Sequence, residues 1–382
     1  MEMSSTAAAR ATGPSLRERA LIDAARSGDE DAYAALVEPH RRELRAHCYR
    51  MLGSAHDADD AVQDALLRAW RGLPRFEGRS STRSWLYKIT TNACLNAIAR
   101  QPKGRVLPMD FGPAGDPHDG AGAPLVESVW VEPYADDRFG VEDGLAGPEA
   151  RYEQREGVEL AFVAALQNLP ANQRAVLILR EVLGFSAKEA AETLDTTTAS
   201  VNSALQRARA AVEERLPDQS QQETARALGD DALREIVDDY VEAWQRSDVE
   251  AVVEMLTEDA AFSMPPLRTW FSGRGEIATF LAGWPLSGRW RWHPVYVRAN
   301  GQPALAFYSW DPDEEAYMPF ALNVLTLRGQ RISDVTAFII RNPESSDREV
   351  IARMPEQPTD PERLETAFRA FGLPDRIEDN DG

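Results

Sequence analysis

Between residues 75 and 81 the chain reads Arg-Phe-Glu-Gly-Arg-Ser-Ser, placing two guanidinium groups, one aromatic ring and two hydroxyls in a single short loop. Arg75 and Arg79 can meet phosphates, Phe76 offers a face on which a base can stack, and Ser80 and Ser81 are hydrogen-bonding groups. This is the chemistry of holding unpaired nucleic acid, and none of it breaks a covalent bond. The same residues also make an ordinary polar connection between helices, so the flanking elements decide between the two readings.

Those elements read as helices. From Asp57, the residues Ala61, Val62, Ala65, Leu66, Ala69 and Trp70 recur at helical spacing on one apolar face, with Asp59, Asp60, Gln63 and Arg68 off it. Gly72 and Pro74 stop that helix, and Ser80, Ser81 or Thr82 can cap the next. The second helix is expected to bury Trp85, Leu86, Ile89, Ala93 and Ala97 and to turn Ser84, Lys88 and Thr91 outward. Upstream, Leu16, Ala20, Ile22, Ala25, Tyr33, Leu36, Val37, Leu44 and Tyr49 continue the pattern, with Pro39 in a first turn or a kink. Together these predict a four-helix unit.

A second helical block spans 156–216. Val158, Ala161, Phe162, Ala165 and Leu166 form one stripe, and Ala175, Val176, Leu179 and Val182 form the next, closed by Gly184. Ser186-Ala187-Lys188-Glu189 is a capping box, in which the hydroxyl takes one free N–H and the Glu reaches back. The short helix ends near Leu194. Asp195-Thr196-Thr197-Thr198 then turns the chain into a longer helix with Val201, Leu205, Ala208 and Val212 inward. A short helix, a polar turn and a longer helix fit helix-turn-helix spacing, with Asn202, Gln206 and Arg209 outward.

The order of residues is more specific than the spacing. Arg50-Met51-Leu52-Gly53-Ser54, then Asp57-Ala58, Asp60, Val62-Gln63-Asp64, Ala69-Trp70, Phe76, Trp85-Leu86-Tyr87, Ile89 and Asn92 resemble the core-binding and promoter-melting region of sigma-70 factors. The likeness is to the extracytoplasmic-function (ECF) subfamily and runs over roughly residues 31–105. Leu169-Pro170, Gln173-Arg174, Val176-Leu177, Gly184-Phe185-Ser186, Glu189, Ala191, Val201, Ser203, Leu205 and Arg207-Ala208-Arg209 resemble sigma region 4. The resemblance implies that Asp57, Asp60, Gln63 and Asp64 meet the basic clamp helices of the largest subunit of core RNA polymerase, and that region 4 lies toward the flap. It implies that Arg75, Phe76, Arg79, Ser80, Arg83, Lys88 and Asn92 hold the melted −10 strand of promoter DNA. It implies that Thr198, Ser200, Asn202, Ser203, Gln206, Arg207 and Arg209 read the upstream −35 element. Asn202 and Ala204 depart from it, standing where the family commonly carries Lys and Arg, which would remove phosphate contacts and their salt-dependent affinity.

Between the helical blocks, residues 106–155 form an acidic Pro/Gly-rich linker, expected to be largely extended. Inside it Val129-Trp130-Val131-Glu132-Pro133-Tyr134 is apolar enough to dock, either on its own domains or in a groove of the partner. Residues 228–342 change period: a helical pattern over 231–256 gives way to alternation around 290–297, 304–308, 320–327 and 332–335, an α+β unit of helices followed by antiparallel strands. These elements resemble the SnoaL-like branch of the ketosteroid-isomerase-like cone fold. Six of the nine tryptophans lie there, enough to line an apolar cavity for a small apolar ligand. Asp259, His293 and Asp334 are the candidate general bases of such a cavity, though no partner at a telling spacing accompanies them. The fold class is therefore multidomain: two all-α sigma domains (16–105 and 156–217), the α+β cone at 228–342, a leader over 1–15 and a tail over 343–382.

Charge divides along the chain. The net charge is −20, yet residues 31–105 carry 13 basic against 8 acidic groups. Residues 106–160 carry 3 against 13, 161–216 carry 6 against 6, and 217–382 carry 16 against 30. Local patches decide docking within a Debye length, so the pattern suits a DNA binder that acts when a larger partner holds it there. No apolar run is long enough to span a bilayer. Cys48 and Cys94 have no metal-like or disulfide spacing, and a reducing cytoplasm fits. The expectation is a non-enzymatic alternative sigma factor with neither cofactor nor metal, regulated by its C-terminal domain. The rivals are a DNA-tethered small-molecule enzyme or sensor using the cone, and a free-standing helix-turn-helix repressor, against which the balanced charge of 161–216 speaks.

Overall fold

The computed structural model describes residues 15–78, 80–100, 104–122, 124, 129–138, 158–343, 345 and 347–379. The leader up to residue 14, Arg79 and linker residues 139–157 lie outside them. Helices run Leu16–Arg26 (α1), Glu30–Leu52 (α2), Ala55–Gly72 (α3), Thr82–Arg100 (α4), Leu160–Gln167 (α5), Ala171–Leu177 (α6), Ala187–Thr193 (α7) and Thr198–Glu213 (α8). Gln221–Leu228 (α9), Asp230–Gln245 (α10), Val249–Glu254 (α11), Arg274–Gly283 (α12) and Pro361–Ala367 (α13) follow. Strands run Leu256–Ser263 (β1), Trp270–Ser272 (β2), Trp292–Ala299 (β3), Gln302–Asp311 (β4), Ala316–Arg328 (β5), Arg331–Ile339 (β6) and Ile377–Glu378 (β7). The chain divides into two compact units, one of Met1–Leu52, Asp57–Pro102 and Pro170–Arg209, the other of Gly53–His56, Lys103–Leu169 and Ala210–Gly382.

In the first unit α3 buries Ala61, Val62, Ala65, Leu66 and Ala69, the stripe its periodicity predicts. Ser81 caps α4, its hydroxyl accepting from the Ser84 N–H at 3.1 Å. Helix α4 itself departs from expectation. Its buried face is Leu86, Tyr87, Thr90, Thr91, Ala93 and Cys94, while Trp85, Ile89 and Ala97 are half-buried. Thr91, expected outward, is fully buried and shares a hydrogen bond with His47 Nε2 at 2.9 Å. The reason is that α4 packs on α2 along one side and on α6 and α7 along another, and a helix with two partners buries more than one stripe. Pro39 lies inside α2, beyond its first turn. Cys48 and Cys94 are free thiols, both buried, with their sulfurs 3.4 Å apart.

The second unit is built on a sheet ordered β2-β1-β6-β5-β4-β3, with β7 paired to β5. All pairs are antiparallel except β1 with β6, which run parallel. That corrects the expected all-antiparallel sheet. Strand β1 was hidden because its opening residues, Thr257-Glu258-Asp259, interrupt the apolar alternation. A core of Tyr240, Trp244, Phe262, Phe280, Trp292, Phe307 and others fills the space between the sheet and α10, α11 and α12. The β3–β4 hairpin turns on Asn300-Gly301, both at positive φ (56° and 71°), the backbone that Asn-Gly adopts most readily.

The linker docks on that turn. Asn300 exchanges hydrogen bonds with the Tyr134 backbone at 2.9 Å each way, and Asp136 accepts from Arg298 Nε at 3.1 Å and from the Gly301 N–H at 2.7 Å. Trp130, Val131 and Tyr134 are buried, so of the two docking sites open to this patch, the resting protein uses its own chain. Glu132 accepts from Ser54 Oγ at 3.0 Å and from the Ala55 N–H at 2.9 Å, while Arg105 Nη1 lies 3.3 Å from its other oxygen. The described part of the linker is thus a packed strap rather than a free coil.

Candidate nucleic-acid interface

The basic loop sits between α3 and α4 because Gly72 and Pro74 break the first helix into a short 3-10 turn, Leu73–Arg75. Arg75 is exposed and Ser80 and Asn92 are half-exposed. Arg79 lies outside the described residues. Phe76 does not behave as expected. It is 6% exposed, stacked on Trp85 with ring centroids 4.6 Å apart, and packed with Ile22, Leu36 and Leu73. Its ring is therefore a core group rather than a stacking platform for a base. Arg26 reinforces it by donating to the Phe76 carbonyl.

Arg83 and Lys88 are already engaged. Arg83 Nε lies 3.0 Å from Glu43 Oε2, and its guanidinium lies over the Tyr87 ring at 4.8 Å and the Phe185 ring at 5.2 Å. Lys88 Nζ lies 2.5 Å from Asp195 Oδ1 and 2.9 Å from the Glu192 carbonyl. Phe185, Glu192 and Asp195 all belong to the helix-turn-helix segment. Sequence reading missed Glu43, Phe185 and Asp195, because these partners stand 40 to 107 positions away from the cations they hold.

The acidic row of α3 is open. Asp60, Gln63 and Asp64 are exposed and Asp57 half-exposed, and Asp64 pairs with Arg68 one turn on. Leu67 beside them is 58% exposed, an apolar group in an otherwise polar row.

The helix-turn-helix forms as read. Ser186 and Glu189 close their capping box at 3.2 and 2.7 Å. Asp195 turns the chain at φ +50°, and Thr197 Oγ1 accepts from the Ser200 N–H at 3.1 Å to start α8. Val201, Leu205, Ala208 and Val212 are buried, while Thr198, Ser200, Asn202, Ser203, Gln206, Arg207 and Arg209 are all exposed. Arg209 pairs with Glu181 at 2.8 Å. Ala204 is 8% exposed, so its position faces the core here and offers no room for a phosphate-binding side chain. That changes the meaning of the departure noted above: of the two positions, Asn202 alone faces outward.

Chain comparison settles the family. A chain named "ECF RNA polymerase sigma factor SigG" in Mycobacterium tuberculosis is 40% identical over 333 residues, covering 84% of this chain and 87% of its own. This chain belongs to the ECF RNA polymerase sigma factors. The sigma factor matches the family models for Sigma-70 region 2 at residues 36–103, Sigma-70 region 4 at 159–212 and the SnoaL-like domain at 237–335. It is also 27% identical to the Bacillus subtilis ECF RNA polymerase sigma factor SigW, over 52% of this chain and 95% of that one. The crystal structure of the M. tuberculosis ECF sigma factor SigJ is 21% identical, covers 78% of this chain and 93% of its own, and superposes with a TM-score of 0.48. As an alternative sigma factor the protein works with core RNA polymerase and promoter DNA in transcription initiation.

The interior of its SnoaL-like domain is nearly full. Trp244, Phe280, Trp284, Trp292, Phe307 and Phe320 leave about 20 Å³, room for a single water molecule. None of the three candidate bases lines it. Asp259 is exposed and holds Arg328 through both oxygens at 3.0 and 2.9 Å, which keeps its carboxyl below the usual range. His293 is half-exposed beside Tyr317, and Asp334 faces the other side of the sheet. Among the described residues no group of three or more His, Cys, Asp or Glu side chains could hold a metal ion, and no helix is long and apolar enough to cross a membrane.

Proposed function

We propose that the sigma factor docks on core polymerase through the acidic face of α3, with Asp57, Asp60, Gln63 and Asp64 against the basic clamp helices of the largest subunit. Arg75, Arg79, Ser80, Arg83, Lys88 and Asn92 then hold the unpaired −10 strand, and Phe76 sets the shape of the loop that presents them. The outward row of α8, Thr198, Ser200, Asn202, Ser203, Gln206, Arg207 and Arg209, takes the −35 element, with region 4 against the flap. Promoter opening on this reading is binding energy spent on trapping unpaired bases, without covalent chemistry.

The observation that carries the reading is the exposure of all seven α8 residues on a helix whose opposite face is buried. Engagement of Arg83 and Lys88 by residues 185–195 adds a condition: region 4 must leave α4 before the strand can enter. Core polymerase, by binding the two regions apart, supplies that separation. The SnoaL-like domain acts as a regulatory scaffold, holding residues 129–138 on its β3–β4 turn. Catalysis in its interior is disfavoured by the volume left there and by the location of the three candidate bases.

Run-off transcription with the full chain and a cognate core polymerase tests this. Asp60→Lys with Asp64→Lys should abolish copurification with core, and Arg207→Ala should weaken promoter binding while leaving core binding intact. Unchanged core binding by the double variant would overturn the α3 assignment.

A further inference from the structure

The outer face of the SnoaL-like sheet carries a larger cavity that none of these roles uses. Alternation along β6 sends Val335 and Ala337 into the aromatic core, so Asp334 and Thr336 face the opposite side. Thr326 of β5 stands opposite Asp334 in the ladder. Over them lie α5 and the chain from Arg215 into α9, leaving a cleft of about 770 Å³. Sites for small organic molecules fall in the range of about 300–1,000 Å³.

The cleft is built rather than left over. Gln221 spans its edge by holding both the N–H and the carbonyl of Leu327 at 2.7 and 2.9 Å. Gln302 donates to Thr326 Oγ1 at 3.0 Å and accepts from the Leu160 N–H at 3.0 Å, which ties the start of α5 to the sheet. Glu159 accepts from the Gln222 N–H at 3.0 Å and joins α5 to α9. Three side-chain amide or carboxylate clamps therefore fix the spacing between wall and floor.

Its lining separates by chemistry. Leu107, Leu160, Ala164 and Leu216 make an apolar wall, while Asp334 lies on the polar floor. The cations of the lining are committed: Arg215 pairs with Asp110 at 3.2 Å, and Arg328 with Asp259. Asp334 forms no ion pair among the described residues, and the Arg328 charge acts on it only from a distance, against the larger effect of burial. Among the described residues its partner is the Ser333 hydroxyl, 2.7 Å from Oδ2, and burial holds its carboxyl above the usual carboxylate range. Asp110, Asp218 and Asp334 against Arg215 and Arg328 leave one carboxylate in excess. Both arginines of the lining already face a carboxylate, whereas a positive ligand would supply a direct charge partner at Asp334.

We propose that this cleft binds a small organic cation, with its apolar body along α5 and its protonated amine on Asp334. The site is separate from the filled interior of the domain, and the two lie on opposite faces of one sheet. Its walls include α5 and the chain that follows α8, so occupancy bears on the segments that flank the helix-turn-helix.

Saturation-transfer NMR and calorimetry on the full chain test it, with 2-phenylethylamine as probe and 2-phenylethanol and 3-phenylpropionate as matched controls. The amine should bind and the carboxylate should not. Asp334→Asn should weaken the amine by roughly tenfold, the loss of one charge-assisted hydrogen bond. Ala161→Arg, at a half-exposed wall position, should abolish binding by bulk and like charge while near-UV circular dichroism stays unchanged. The proposal falls if the amine fails to bind, if either control binds as tightly, or if both folded variants bind it like the parent.

Discussion

Lys88 and Asp195 form an ion pair at 2.5 Å that joins helix α4 to the turn of the helix-turn-helix. The side chains are 40% and 72% exposed, so water screens the pair, and exposed pairs of this kind contribute only about 0.2–1 kcal/mol. A phosphate can displace such a partner at little cost. The contact is therefore suited to a latch rather than to a structural tie.

Asp195→Asn should loosen that latch. Asn keeps the positive φ of the turn at little strain, so the fold is retained. Affinity of the free full chain for a single-stranded −10 oligonucleotide should rise by about two- to fivefold, the equivalent of one exposed pair. Lys88→Ala should lower that affinity and reduce the slope of log affinity against log salt by about 0.7. Equal affinities across the three proteins would show that the pair does not compete with DNA.

Phe76→Ala should act on stability first. A ring 6% exposed and stacked on Trp85 leaves a cavity when removed, at a cost of roughly 3–5 kcal/mol. Urea unfolding measures it, and Phe76→Leu should recover most of the loss. A ring serving only to stack on bases would leave the unfolding midpoint unmoved.

His47 should make the protein acid-sensitive. Burial first, then Arg50 and Arg83, pushes its imidazole down to about 3, while in the unfolded chain it titrates near the ordinary value of about 6.5. Between those values the unfolded state binds one more proton, so stability is full above pH 6.5 and is lost as the pH falls below it. From pH 7 to pH 5 the contribution is a loss of about 2 kcal/mol. His47→Gln should flatten that part of the stability profile, whatever its effect at pH 7. A profile of the same slope in both proteins would assign the acid sensitivity to other groups.

Ala204→Lys should disappoint an attempt to restore the family's cation. The position is 8% exposed beside Val201, Leu205 and Ala208, so a Lys there must bury its stem or push α8 off its neighbours. A destabilisation of about 1–3 kcal/mol is expected, with no gain in −35 affinity. Asn202→Lys, at an exposed site, should strengthen promoter binding and steepen its salt dependence. Electrophoretic shifts at two salt concentrations separate the two outcomes.

What the sequence determined by itself is what local periodicity and capping encode. The α3 stripe, the Ser186–Glu189 box, the inward row of α8 and the later β-strands follow from side-chain spacing, since a helix or strand repeats its faces at a constant interval. The residue order around Asp57–Asn92 and Leu169–Arg209 was enough to indicate the family. Only the tertiary structure decided which side chains are spent on partners within the chain. Thr91 is buried because its helix meets more than one neighbour, Ala204 because it lies on the same face of α8 as Val201, Leu205 and Ala208, and Phe76 because the loop folds onto α1 and α2. Asp334 faces the cleft because alternation along β6 sends Val335 and Ala337 into the core. The parallel pairing and the bonds from Lys88 to Asp195 and from Glu132 to Ala55 join residues more than 70 positions apart. No spacing rule reaches that far; such contacts form where packing brings distant surfaces together.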